Sequence, residues 1–240
     1  MTPHRADFCV AAVADAFATE EEIVASPMGL IPSIGARLAR QTTSPQLMLS
    51  DGVATLTTTS GIAEAHLPYR EVFHVLWSTK RHVMMGASQI DAYGNQNISC
   101  IGSFEKPKAM LIGARGAPGN TMYHRTSYWV PNQSARIFCD QVDFICGVGN
   151  DRAAELGSRT ARYHHLHRVV TNLGVFGFSR DGRMVVISLH PGVQEADIQA
   201  NSSFDLDCSN ATQTRTPSDE EMHLINRLDP EQKRYQEVPG

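Results

Sequence analysis

The spacing of apolar residues predicts alternating helices and strands in the first quarter of the chain. Residues 8–17 carry apolar side chains at helical spacing, which predicts an amphipathic helix. A strand, a helix and a second strand are predicted to follow, at residues 22–26, 31–40 and 46–49. Because two parallel strands need a crossover connection, this order predicts a βαβ unit.

The second half of the chain is rich in short apolar runs that are typical of strands. These runs occupy residues 82–86, 109–112, 135–139, 144–147, 167–171, 174–178 and 184–189. Asp181-Gly182 predicts a hairpin between the last two runs, and Gly94-Asn95 predicts a tight turn. A further helix is predicted over residues 69–77. The fold class predicted is α/β, with an open, mostly parallel sheet flanked by helices and a strand-rich second half.

The sequence predicts one main domain followed by a short polar segment. No internal repeat or low-complexity linker interrupts residues 1–206, so they are predicted to form a single α/β domain. Residues 207–240 begin with a polar stretch. Ser218 followed by acidic residues then predicts a capped helix. We expect this segment to pack on the domain or on a partner.

Composition and charge narrow the class of protein. The 240 residues are 42% hydrophobic, and the net charge is −4 with 21 basic and 25 acidic residues spread along the chain. This offers no basic patch for nucleic acid or for a membrane surface. The cysteines number five and lack a CxxC pair, which argues against both a disulfide framework and a zinc knuckle. We expect a cytoplasmic protein that acts on a small molecule.

The densest chemical signal is a glycine-rich loop directly after the predicted strand at 109–112. It consists of Gly113, Ala114, Arg115, Gly116, Ala117, Pro118, Gly119 and Asn120. Loops at the carboxyl ends of strands are where open α/β sheets bind substrates, and glycine lets backbone amides approach a ligand. An amide aimed at an acyl oxyanion lowers the barrier by about 3 kcal/mol. The alternative is a sharp turn without a ligand.

Polar and aromatic side chains follow this loop. Arg125 is a candidate for binding a carboxylate through two hydrogen bonds, with an ordinary surface arginine as the alternative. His124 is a candidate proton-transfer group or a structural residue, and Tyr128 is a candidate for substrate binding. The histidines within 163–167 have no acidic or cysteine partner at a ligand spacing, so no metal site is predicted.

Four segments, in this order, resemble the beta subunits of family I CoA-transferases. Residues 89–97 resemble the family's Q-x-D-x-x-G-N-x-N segment, and the glycine loop is the second match. Residues 168–176 resemble its R-V/I-V-T-x-L-G-V-F strand, and residues 189–193 its L-x-P-G-V turn. The resemblance covers roughly residues 20–206.

This resemblance implies an open α/β fold of the NagB/RpiA-like type and an active site shared with a homologous alpha-type subunit, in a heterodimer or an α2β2 assembly. It implies a CoA thioester as substrate and no permanently bound cofactor. It also makes Gln89 and Asn95 candidates for substrate binding, the alternative being that they fix the turn and the strand ends.

One departure from the family pattern concerns the catalytic carboxylate. The transferases use the glutamate of a Glu-x-Gly segment to attack the acyl-CoA, forming an anhydride and then an enzyme-bound thioester. The matching segment here is Ser50-Asp51-Gly52. Asp51 is one position over in an extended segment, so its side chain is expected to point elsewhere. Ser50 and Asp51 are candidates for substrate binding, and ordinary CoA transfer is disfavoured.

With this altered segment, the pattern most resembles beta subunits of the actinobacterial hydrolases that open the last ring in steroid (cholesterol) catabolism. The resemblance implies hydrolytic carbon–carbon cleavage of a cyclic β-keto acyl-CoA, with the general base on the alpha-type chain. Two alternatives remain open. One is a CoA-transferase beta subunit that uses Asp51 or a partner carboxylate, and the other is a noncatalytic scaffold subunit.

Overall fold

The computed structural model describes residues 3–52, 55–66 and 80–239, and the elements are numbered within those ranges. The helices are α1 (Arg5–Phe17), α2 (Leu30–Gln41), α3 (Ala117–Tyr123), α4 (Asn150–Glu155), α5 (Glu195–Ala200), α6 (Asp219–Leu228) and α7 (Arg234–Glu237). The helix predicted at 69–77 lies outside the described residues.

The strands are β1 (Val24–Pro27), β2 (Met48–Ser50), β3 (Thr55–Thr57), β4 (Ala63–His66), β5 (Arg81–Gly86), β6 (Gln89–Ile90), β7 (Gln96–Asn97), β8 (Cys100–Ile101), β9 (Ala109–Met110), β10 (Arg125–Val130), β11 (His165–Thr171), β12 (Gly174–Phe178), β13 (Met184–Leu189) and β14 (Thr212–Gln213).

Ten strands of the described chain form one sheet, in the order β14-β13-β12-β11-β10-β5-β1-β2-β3-β4. Its centre, β2-β1-β5-β10-β11, is parallel throughout. Antiparallel strands extend it on both sides, with β3 and β4 beyond β2, and β12 and β13 beyond β11. The predicted open, mostly parallel α/β sheet with a strand-rich second half is confirmed.

Helix α1 is buried on nearly all sides, whereas the sequence predicts an amphipathic helix. Eleven of its thirteen residues are buried. The reason is that α2, β11 and the two C-terminal helices all pack against it. Gly35 of α2 allows the close approach, because a Cβ at that position would lie 2.4 Å from Cγ1 of Val13. An apolar stripe identifies the face that meets the sheet, but it does not show that other elements cover the remaining faces.

A buried ion-pair network holds the C-terminal segment against α1. Arg234 has no solvent exposure. Its Nε donates to Oδ1 of Asp7 at 2.7 Å, and its Nη1 donates to Oδ2 of Asp229 at 3.1 Å. Leu224 and Ile225 of α6 belong to the same apolar core as α1 and α2. The C-terminal segment therefore packs on the main domain, while the boundary between residues 206 and 207 stays a prediction.

Two predicted strands are wrong. Residues 135–139 form a turn and residues 144–147 an irregular bend, in which Phe138 and Gly147 each make a single β-bridge. Their apolar character reflects packing, since the Phe138 ring lies 5.4 Å from that of Phe176. A short apolar run indicates burial and does not by itself specify an extended backbone.

Strand β10 is the central strand that the apolar pattern does not predict. It begins with the polar residues Arg125, Thr126 and Ser127, yet it lies between β5 and β11. Ser127 is fully buried because its Oγ bonds to Nε2 of His82 at 2.9 Å. The strand predicted at 109–112 shortens to β9, which is exposed and pairs with β8 outside the main sheet.

Replacing Arg234 with Met should lower the free energy of unfolding by about 3–5 kcal/mol, because the carboxylates of Asp7 and Asp229 would stay buried without a cation. Urea denaturation followed by circular dichroism measures this loss. Lys233→Met is the control, because its ion pair with Glu231 is exposed and should leave the midpoint almost unchanged. Equal midpoints for the two variants would contradict the structural role of Arg234.

Candidate active site at the carboxyl edge of the sheet

The parallel strands of the sheet centre end at one edge, and two of the segments that the sequence singles out meet there. The segment Ser50-Asp51-Gly52 follows β2, next to the end of β1. The glycine loop reaches the same edge because α3 runs back along the sheet before β10 begins. The contact of Asn120 with β5 shows where the loop lies, since Nδ2 of Asn120 is 3.3 Å from Sδ of Met85, near the carboxyl end of β5.

Ser50 begins the segment that resembles the transferase Glu-x-Gly, and its hydroxyl is hydrogen-bonded within the chain. Its Oγ donates to the carbonyl oxygen of Ala25 at 2.8 Å and accepts from the amide of Gly52 at 3.2 Å. Ser26 Oγ lies 3.3 Å away, and it accepts from both Nε and Nη2 of Arg81 at 3.1 and 2.8 Å. Because its proton and one acceptor site are engaged within the chain, Ser50 is a structural hydroxyl and not an activated nucleophile.

Arg81 is a buried cation beneath this position, with 6% of its surface exposed. Burial lowers the pKa of Arg81 to about 10, so the guanidinium remains charged at neutral pH. Ser26 and Arg81 belong to the site but were missed by sequence reasoning. Ser26 ends a predicted strand, which marks it as an edge residue, whereas Arg81 carries no signal apart from standing before an apolar run.

Asp51 points away from Ser50, as the alternation along an extended segment predicts. Its side chain is exposed, and Oδ1 accepts from the amide of Thr55 at 3.0 Å across the β2–β3 turn. Gly52 fixes the backbone that follows. Its φ is +82°, and a Cβ there would lie 2.3 Å from the carbonyl oxygen of Pro27.

The glycine loop contains unusual backbone conformations and open space. Arg115 has φ +50°, a left-handed conformation that is uncommon outside glycine and often found at functional sites. A Cβ at Gly113 or Gly119 would have no neighbour within 4 Å. Packing therefore does not require glycine at these two positions, although the φ of +82° at Gly113 does favour it. The open space leaves the backbone accessible to a ligand or to a partner chain.

The loop itself is shorter than predicted, because its second half is helical. Helix α3 begins at Ala117 with Gly116 as its N-cap, so Gly119 and Asn120 lie inside the helix. The loop also follows the exposed strand β9 and not a strand of the main sheet. Ala114 is half-buried, and Arg115 is exposed.

Two buried amide oxygens near the end of β5 have no hydrogen-bond partner among the described residues. They are Oε1 of Gln96 and Oδ1 of Asn120. Nε2 of Gln96 donates to the carbonyl oxygen of Gly86 at 2.6 Å, which holds the side chain at this edge. A buried unbonded oxygen costs about 1–3 kcal/mol, so a donor that reached either atom would stabilise this part of the structure. Gln96 was missed as a candidate although it lies in the 89–97 landmark.

Gln89 and Asn95 are engaged in hydrogen bonds within the chain. Oε1 of Gln89 accepts from Asn97 at 2.6 Å, and its Nε2 donates to Asp143 at 2.9 Å. Nδ2 of Asn95 donates to Asp91 at 2.9 Å and also to the carboxylate of Asp151. These contacts fix the β6–β7 turn, and the structure does not bring either side chain to the glycine loop.

Tyr128, His124 and Arg125 are also separated from the loop. Tyr128 is completely buried, and its hydroxyl donates to the carbonyl oxygen of Gly94 at 3.3 Å. Burial raises the pKa of Tyr128, so the phenol is neutral. His124 and Arg125 stand where β10 begins, at the opposite edge of the sheet, and α3 separates them from Gly116 by about 10 Å.

The histidine-rich segment does not form a metal centre in the described part of the chain, where no group of three metal-ligating side chains occurs. His164 instead bonds to the carbonyl oxygen of Thr121 at 2.9 Å.

Cys9 and His190 form a buried pair elsewhere in the fold, with Sγ of Cys9 3.6 Å from Nε2 of His190. Burial raises the pKa of Cys9 and lowers that of His190 to about 4, so the pair is neutral and not a thiolate nucleophile.

Known proteins resemble this chain over its full length. The IpdB subunit of the cholesterol ring-cleaving hydrolase of Rhodococcus jostii is 48% identical over 243 residues, covering 98% of this chain and 96% of that protein. The chain belongs to this family of IpdB subunits. A chain of the crystal structure of Rhodococcus jostii RHA1 IpdAB superposes on this chain with a TM-score of 0.93. The two are 46% identical, and the match covers both chains completely. No family model matches the chain.

A more distant likeness concerns the fold alone. Glutaconate CoA-transferase from Acidaminococcus fermentans superposes with a TM-score of 0.81 at 22% identity, covering 96% of each chain. The IpdB family therefore has the architecture of family I CoA-transferases, as the four sequence landmarks imply. Among the described residues of this IpdB-family chain, no helix is long and apolar enough to cross a membrane.

Replacing Gly52 with Ala should destabilise the fold by about 1–3 kcal/mol, because the positive φ and the contact with Pro27 both disfavour a Cβ. Thermal unfolding measures the change. The matched control is Gly119→Ala, which adds a methyl group inside a helix where space is open and should be neutral or stabilising by up to about 1 kcal/mol. An unchanged melting temperature for Gly52→Ala would show that the turn can relax without cost.

Proposed function

We propose that this chain forms, with a homologous alpha-type subunit, a hydrolase that opens the ring of a cyclic β-keto acyl-CoA during cholesterol breakdown. The full-length relationship to IpdB subunits supports the reaction class and the heteromeric assembly. The observation that carries the mechanism is the locked Ser50 hydroxyl in place of the transferase glutamate. Without that carboxylate, the covalent route through an enzyme-bound thioester is closed at this position.

Hydrolytic ring opening needs no covalent enzyme intermediate. A water molecule loses a proton to a general base, and its oxygen forms a bond to the ring ketone carbon. The bond between that carbon and the carbon next to the thioester then breaks, and its electron pair is held as the thioester enolate until a proton is delivered. The products are a new carboxylate and a ring-opened CoA thioester. The reaction therefore requires a base and a site for oxyanion charge.

The glycine loop is the part of this chain that fits the second requirement. Its backbone amides between Gly113 and Gly116 would stabilise negative charge on the substrate. The unbonded Oδ1 of Asn120 would accept a hydrogen bond from a donor group of the substrate. A Cβ at Gly116 would lie 3.6 Å from Nδ2 of Asn120 and thus at the mouth of this space.

The general base fits better on the alpha-type partner. Two carboxylates near this edge are already engaged, since Asp51 accepts from the amide of Thr55. Glu237 accepts from Nε1 of Trp129 at 2.7 Å and from the amide of Ile31 at 3.3 Å. A base poised to activate water must be available to it, so we assign this role to a partner carboxylate.

We also propose that the enzyme works in the cytoplasm, with the CoA thioester as its substrate and no permanently bound cofactor. All five cysteines are free thiols, which suits a reducing compartment.

The first test is turnover of a cyclic β-keto acyl-CoA from steroid breakdown by the chain co-expressed with an alpha-type subunit, in ¹⁸O-labelled water. Mass spectrometry should find the ring-opened product with label in the new carboxylate and no need for an acceptor acid. Transfer of CoA to an added carboxylic acid would instead establish a transferase and overturn the proposal.

A second test asks whether this chain contributes to the site or serves as a scaffold. Gly116→Ala should lower the ring-opening rate at least about tenfold, because a methyl group displaces the substrate from the loop amides. Complex formation, measured by size-exclusion chromatography, should be unchanged. Arg180→Met, an exposed change in the β12–β13 hairpin, is the control for a neutral substitution. Full activity of the Gly116→Ala complex would favour the scaffold. The structure allows that alternative, because Ser50, Gln89 and Asn95 all make hydrogen bonds within this chain.

A further inference from the structure

A second pocket lies at the amino edge of the sheet, opposite the glycine loop. It has a volume of about 250 Å³ and is formed where β5, β10 and β11 begin. Its charged and imidazole lining comes from Glu21, Lys80, Arg81, Arg125 and His165, with His124 beside them. Because β10 is six residues long, about 20 Å separates its first residue in this pocket from its carboxyl end. The pocket shares Arg81 with the hydrogen-bond network beneath Ser50, and the proposed ring-opening chemistry uses none of its other residues.

Strand register places cationic and imidazole groups side by side in this pocket. Arg125 of β10 is the partner of His82 on β5 and of His165 on β11, so its side chain lies between two imidazoles on one face of the sheet. The ring of His167 lies 5.5 Å from that of His82 and 5.7 Å from that of His165. Parallel pairing thus concentrates nitrogen-bearing side chains at one end of three adjacent strands.

The charges of the pocket are not balanced within the described chain. Lys80 and Arg125 provide two positive charges, against one negative charge from Glu21, while the guanidinium of Arg81 is turned towards Ser26 Oγ. Glu21 bonds to Nζ of Lys80 at 2.6 Å, and both side chains are largely exposed. Nε of Arg125 is buried and has no hydrogen-bond partner among the described residues. A half-buried guanidinium with an unused donor is favourable when an anion occupies the space in front of it.

The imidazoles are suited to donate without adding positive charge. Burial, together with the charges of Arg125 and Arg168, lowers the pKa of His167 to about 3. The pKa of His165 is lowered by the same causes. At neutral pH each ring is therefore uncharged and offers one N–H group. A simple structural cluster of this kind would need no unused arginine donor and no open volume.

We propose that this amino-edge pocket binds a phosphate-type anion through Arg125, Lys80 and the neighbouring His165. The excess of positive charge favours an anion, and tetrahedral phosphate oxygens can accept from guanidinium, ammonium and imidazole groups at once. A carboxylate has only two oxygens to offer to these three groups. The pocket is too small for a whole CoA molecule, so the ligand is free phosphate or one phosphate group of a larger metabolite.

The test is isothermal titration calorimetry of the chain in complex with its alpha-type subunit, using inorganic phosphate, pyrophosphate and 3′,5′-ADP as probes. We expect saturable binding of phosphate or pyrophosphate. Tighter binding of 3′,5′-ADP than of phosphate would identify a nucleotide as the source of the phosphate group, and equal or weaker binding would identify the free anion. Absence of saturable binding of all three probes would overturn the proposal.

Variants distinguish a built site from a general charge effect. Arg125→Met should weaken binding about tenfold or more, and the exposed change Lys80→Met should weaken it a few-fold without affecting folding. Glu21→Gln should tighten binding, because it removes the opposing charge and releases Lys80. Arg180→Met removes one positive charge elsewhere and should have no effect. Equal weakening by Arg180→Met and Arg125→Met, or loss of subunit assembly in Arg125→Met without any phosphate binding by the unmodified complex, would refute the site.

Discussion

The parallel pairing of β2, β1, β5, β10 and β11 is the constraint on which the rest of the structure depends. Parallel strands run in one direction, so the sheet has two chemically different edges. Among the described residues, the connections that leave the carboxyl ends lie at one edge, and the segments that enter the strands lie at the other. Whether a residue takes part in a given site therefore depends on which end of its strand it occupies.

At the carboxyl edge, one substitution decides the chemistry that remains open. Ser50 is short enough to turn inward and bond to Ala25, whereas a glutamate could not be satisfied by the same contacts. The buried cation of Arg81, acting through Ser26, completes this network. The chain therefore keeps the transferase architecture, with an accessible glycine loop, while the carboxylate that defines covalent CoA transfer is gone. Hydrolysis with a base from the partner is the reaction that fits this combination.

Stability and function use different parts of the molecule. The core around α1 is closed by the ion pair between Asp7 and Arg234, which links the two ends of the described chain. This ion pair lies on the face of the sheet that α1 covers, so it does not involve the glycine loop. The site contains locally unfavourable features, namely the unbonded amide oxygens of Gln96 and Asn120 and the left-handed backbone of Arg115. The packed core supplies enough free energy of folding to tolerate them.

The sequence by itself determined the fold class, the strands β12 and β13 with their hairpin, and the family resemblance. These features depend on local signals, namely apolar periodicity, Asp-Gly turn chemistry and motif order. It also identified the Ser50-Asp51-Gly52 segment, because the absence of a glutamate from the Glu-x-Gly pattern can be read directly from the sequence. The site was only partly predictable: the glycine loop lies at the expected edge, although it follows an exposed strand and continues into a helix.

Only the tertiary structure decided which candidates lie together. His124 and Arg125 follow the glycine loop closely in sequence, yet α3 carries the chain to the opposite edge before β10 begins. The polar start of β10 hides a central strand, because Ser127 is buried through a hydrogen bond to His82 that no periodicity reveals. Ser26 and Arg81 join Ser50 across neighbouring strands. Such contacts between residues far apart in sequence depend on strand order and register, which are set by the packing of the whole chain.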